Sequence, residues 1–114
     1  MSESHSNQQV VAEPDRRADE EDRARGLLRE AIGCRTSDPD QARQLVLDAR
    51  VIARAAGLAL VEADAIYQLA ALAHQAGRTD EAFGLAVEVV ESAGPDDCTL
   101  TVAWSLHLIA VVYY

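Results

Sequence analysis

Three histidines (His5, His74, His107), two cysteines (Cys34, Cys98) and nineteen carboxylates are the groups in this 114-residue chain that could do chemistry. Their spacing gives little of it. No pair forms CxxC or HExxH, and 64 positions separate Cys34 from Cys98, so a zinc or other metal site is not expected. The carboxylate doublets Glu20-Glu21, Asp80-Glu81 and Asp96-Asp97 are adjacent in sequence. Neighbours on a helix diverge by about 100°, so such a doublet cannot flank one substrate bond. It suits the positive end of a helix instead. There is no glycine-rich phosphate loop and no GxSxG, so no cofactor and no enzymatic activity are expected. Cys34 sits on an apolar stripe and reads as a small core residue, while Cys98 reads as an ordinary cysteine near a helix start.

Charge narrows the partners. All ten basic residues are arginine, and the formal charge is −9. That balance argues against a nucleic-acid binder, which must neutralise phosphates. No apolar run approaches the ~18 residues of a membrane span, and Met1 to Pro14 holds no basic stretch followed by an apolar one. A cytoplasmic protein without membrane or nucleic-acid partners is expected.

The elements that position these groups read as helices. Residues 1–14 are polar and aperiodic and are expected to form a disordered acidic tail, with a domain over 15–114. Apolar residues then recur at helical spacing in five stripes: Leu27, Leu28, Ala31, Cys34; Ala42, Leu45, Val46, Ala49, Ile52, Ala53, Ala56; Ala63, Ile66, Leu69, Ala70, Ala73; Ala82, Leu85, Ala86, Val89, Ala93; and Leu100, Ala103, Leu106, Ile109, Ala110, Tyr113. Asp38-Pro39-Asp40-Gln41 predicts a capped helix start and Gly57 a left-handed stop. Gly77 closes the third stripe and Thr79 is expected to cap the fourth helix. Gly94-Pro95-Asp96-Asp97 is expected to end the fourth helix and cap the fifth. The fold class is therefore all-α, with short loops that make neighbours antiparallel.

The stripes repeat. Ile66, Leu69 and Ala70 match Leu106, Ile109 and Ala110 at a spacing of 40, and Ala42 matches Ala82. A two-helix unit at this period predicts an α-solenoid. Residues 63–96, with Ala70, Gly77, Ala82, Pro95 and the turn GRTDEA, resemble a tetratricopeptide repeat. Its aromatic positions hold Ile66, Ala73 and Ala86 here, and the period is longer than the family's. The wording also resembles N-terminal repeat modules of actinobacterial signalling proteins, which precede a diguanylate cyclase (GGDEF) domain or a helix-turn-helix output domain.

That resemblance implies a scaffold that binds a protein or peptide. In the family, first helices line the concave face. This implies a binding surface of Asp64, Tyr67, Ala71, His74 and Gln75, joined by Trp104, His107, Val111 and Tyr114, with Tyr67 meeting His107 and His74 meeting Tyr114. Arg78 reads as a solvated turn residue that could also meet a partner carboxylate. The alternative it implies is the sensory or regulatory part of a cyclase or transcriptional regulator whose output domain is absent from this chain. The apolar end Ile109–Tyr114 carries no stop signal. The domain is therefore expected to be truncated at its C-terminus, or closed by a homodimer through the last helix.

Overall fold

The computed structural model describes the backbone of residues 2–92 and 100–113, and the side chains of residues 16–92 and 101–111. Among the described residues there are five helices and no strand: α1 (Ser2–Cys34), α2 (Pro39–Ala56), α3 (Ala59–Gln75), α4 (Thr79–Ser92) and α5 (Leu100–Tyr113). α1 includes residues 2–14, of which only the backbone is described. Low apolar content argues against a core, but Glu, Gln and Ala are sound helix formers. Gly94–Asp97, Cys98 and Tyr114 lie outside the described residues.

The turns explain where helices begin and end. Asp38 accepts the Gln41 backbone N–H at 3.2 Å, and Pro39 opens α2 where its missing N–H costs nothing. Gly57 stops α2 at φ +69°, a conformation that a β-carbon resists. Gly77 does the same after α3 at φ +80°. Thr79 is not the cap expected for α4. It is already the first helical residue, and the first turn closes from the Ala82 N–H onto the Arg78 carbonyl.

Each helix packs on its neighbour in the chain, and α3 also touches α1 and α5. The main core joins α1, α2 and α3 through Leu28, Ala31, Leu45, Val46, Ala49, Val61, Ala65 and Leu69. A smaller cluster of Ala70, Ala86 and Leu108 joins α3, α4 and α5, with Tyr67, Leu85 and Ile109 against it. Alanines 42, 49, 53, 65, 70, 73, 82 and 86 are fully buried, and such small side chains let helix axes approach closely.

α5 differs from its expected face. Ser105 and Leu108 are buried, whereas Ala103, Leu106 and Ala110 are exposed. The helix has no Asp, Glu, Lys or Arg and its apolar residues fall on every side, so periodicity cannot choose the buried side. Ser105 can be buried because its hydroxyl donates to the Thr101 carbonyl at 2.8 Å. No helix among the described residues is long and apolar enough to cross a membrane.

Candidate functional site

Helical spacing puts three short rows of side chains around one cleft. Arg25, Leu28, Arg29 and Ile32 line up on α1; Asp64, Tyr67 and Gln68 on α3; Thr101 and Trp104 on α5. Together they enclose a cleft of about 350 Å³.

One end of the cleft is an electrostatic tie across all three helices. Arg25 donates to Glu21 at 3.1 Å within α1 and to Asp64 at 3.3 Å on α3. Asp64 also accepts from the Thr101 hydroxyl on α5. The Arg25 guanidinium is held above its ordinary pKa, first by the Glu21 hydrogen bond, against an opposing effect of burial, and further by Asp64. A cation with a raised pKa contributes its stability fully at lower pH and loses it only as pH rises through the folded value. For an arginine that window lies far into alkali, so this tie keeps its charge across the usual range.

The other end is aromatic. Tyr67 and Trp104 stand with ring centroids 5.7 Å apart and planes tilted by 35°. That is a favourable arrangement for two quadrupoles. Trp104 remains 45% exposed and Ile32 49% exposed, so this end offers open apolar surface. Gln68, one helical turn past Asp64 and next to Tyr67 on α3, also lines the cleft, at 9% exposure.

Of the residues the sequence singles out, the structure thus brings Asp64, Tyr67 and Trp104 together. His74 and His107 are exposed and do not line the cleft. Tyr67 makes its ring contact with Trp104, not the expected His107, because α3 and α5 meet at a spacing of 37. The three-residue difference from 40 is nearly one helical turn. Ala71 is half-buried, and the exposed Gln75 donates to the Arg35 carbonyl at 3.1 Å. Val111 is 45% exposed. Arg78 is engaged by Glu81 at 2.7 Å. Cys34 is half-buried against the core. Among the described residues no group of three or more His, Cys, Asp or Glu could hold a metal ion.

Arg25, Gln68 and Thr101 were not expected. Arg25 was findable, since it lies one repeat spacing of 39 before Asp64 with opposite charge. Gln68 and Thr101 carry no signal in sequence beyond lying one helical turn from Asp64 and Trp104. A second cleft of about 290 Å³, near Leu60 and Ile66, has its charges already engaged, in Arg54–Glu62 at 3.1 Å and Arg50–Glu88 at 3.4 Å. The α1–α3–α5 cleft is the better candidate because it keeps polar groups uncommitted. Compared with known proteins, the chain matches no family model, no curated protein and no solved structure.

Proposed function

We propose that this chain is a tetratricopeptide-like binding module that holds a protein or peptide segment in the cleft between α1, α3 and α5. In this reading α1–α2 and α3–α4 are antiparallel hairpins stacked side by side, and α5 opens a third unit. The polar contacts between units support the stacking. Arg25–Asp64 and Thr101–Asp64 link α1, α3 and α5 at separations of 39 and 37, Gln75–Arg35 links α3 to the turn after α1 at 40, and Arg50–Glu88 links α2 to α4 at 38. First helices then form one layer and second helices the other.

The observation that carries the function is the half-exposed Tyr67–Trp104 pair beside the Arg25–Asp64 tie. Aromatic anchors with a polar tip supply much of the binding energy at protein interfaces. Binding needs no bond-making step here. Partner side chains bury against the rings, and the tie keeps the three helices in register.

The test is a titration of the isotope-labelled chain with peptides recovered from a random display library, followed by amide chemical shifts. The expected shifts fall on the cleft-facing turns of α1, α3 and α5, and Tyr67→Ala weakens binding about tenfold or more. Shifts confined to other faces would overturn the reading.

A second reading concerns α5 itself. Its exposed face holds Leu106 at 52% and Val111 at 45% exposure and no charge. Such a face suits an isologous contact with a second copy of the chain.

A further inference from the structure

We propose that the α1–α3–α5 cleft selects an extended peptide that presents a single side-chain carboxylate beside an apolar or planar side chain. This rests on the binding-module reading and names the chemistry the cleft recognises. Gln68 is the first ground. Its side chain lines the cleft at 9% exposure, and its amide makes no hydrogen bond to the described residues and stays accessible. No side-chain nitrogen or oxygen among the described residues is both buried and unpartnered, so the amide is open to water, and an occupant that covers it must replace that water. Its adjacent carbonyl and NH₂ match the alternating N–H and C=O groups of an extended main chain. A purely apolar occupant would leave both unmet.

Arg29 is the second ground. Arg23, Arg25, Arg43, Arg50, Arg54 and Arg78 are each held by a carboxylate. Arg16, Arg17, Arg29 and Arg35 form no ion pair among the described residues, and of these four only the exposed Arg29 lines the cleft. The acids nearest the cleft are already committed, Glu21 to Arg25 and Asp64 to Arg25 and Thr101. The uncommitted charge in the cleft is therefore positive. A planar guanidinium favours a carboxylate through paired hydrogen bonds.

The third ground is the apolar shelf of Tyr67, Trp104 and Ile32 on the same cleft. One carboxylate fits this surface better than an acidic tract. The whole chain carries −9, so each further acid meets repulsion that screening only partly removes.

The test uses the full chain immobilised against a random peptide display library. Enriched sequences are made synthetically with both termini blocked and titrated against Trp104 emission, which reports on the cleft alone because the chain has one tryptophan. The expected sequences carry Asp or Glu beside an apolar residue. Replacing that acid by its amide weakens binding about tenfold. Arg29→Gln weakens the acidic peptide equally and abolishes the difference between acid and amide peptides. Gln68→Met, which keeps length and loses the amide, weakens both peptides alike. Far-UV circular dichroism confirms that each variant is folded. If neutral or basic peptides are enriched and still shift Trp104, or Arg29→Gln leaves the acidic peptide's affinity unchanged, the carboxylate inference fails while the binding module stands. If no enriched peptide perturbs Trp104 or Tyr67, both fail.

Discussion

At the scale of single residues, Asp64 does two things with one carboxylate. It meets Arg25 on α1 and Thr101 on α5. Its side chain is 30% exposed and that of Arg25 38%, so solvent screens the pair. Exposed ion pairs contribute between nothing and about 1 kcal/mol. Asp64→Asn keeps the acceptor for Thr101 and removes the charge. Urea unfolding should therefore show a loss below about 1 kcal/mol, shrinking in high salt. A larger, salt-independent loss would mean that the Asp64 charge does more than an exposed ion pair can. Asp64 was expected at a binding surface only through the tetratricopeptide resemblance. Its partner on α5 was not foreseen, because the 37-residue separation is set by how α5 docks and differs from the 40-residue spacing of the apolar stripes.

At the scale of helices, caps and turns were the most readable part of the chain. Asp38-Pro39 and Gly57 stand where local chemistry requires them. Asp38→Ala should cost about 1 kcal/mol through the lost cap, and Gly57→Ala a similar amount through its positive φ. Gly84 is the contrast. It lies inside α4, is exposed, and a β-carbon there would meet nothing within 4 Å. Gly84→Ala should raise stability by about 0.5–1 kcal/mol in the same unfolding assay. Opposite signs from two Gly→Ala changes would separate turn glycines from helix glycines directly. The buried stripe of α2 was also legible, since polar residues mark its outer face. α5 was not. A helix with no polar side announces its existence but not its orientation, and only docking against α3 and α4 selects Ser105 and Leu108 as the inner row.

At the scale of the whole molecule, that inner row decides whether α5 stays attached. Leu108 is 7% exposed and joins Ala70 and Ala86, whereas Leu106 is 52% exposed. Leu108→Ala should cost about 2–5 kcal/mol, and hydrogen exchange should show α5 released before the rest. Leu106→Glu should leave folding nearly unchanged. If α5 closes on a second copy, that same change should turn a concentration-dependent mass into a constant one in analytical ultracentrifugation. Among the described residues α3 is the only helix in contact with all four others. Force applied to the two ends of the chain would thus meet a structure that peels from its margins. α5 would come away from one side and α1 from the other, in separate steps, with α3 the last element to let go.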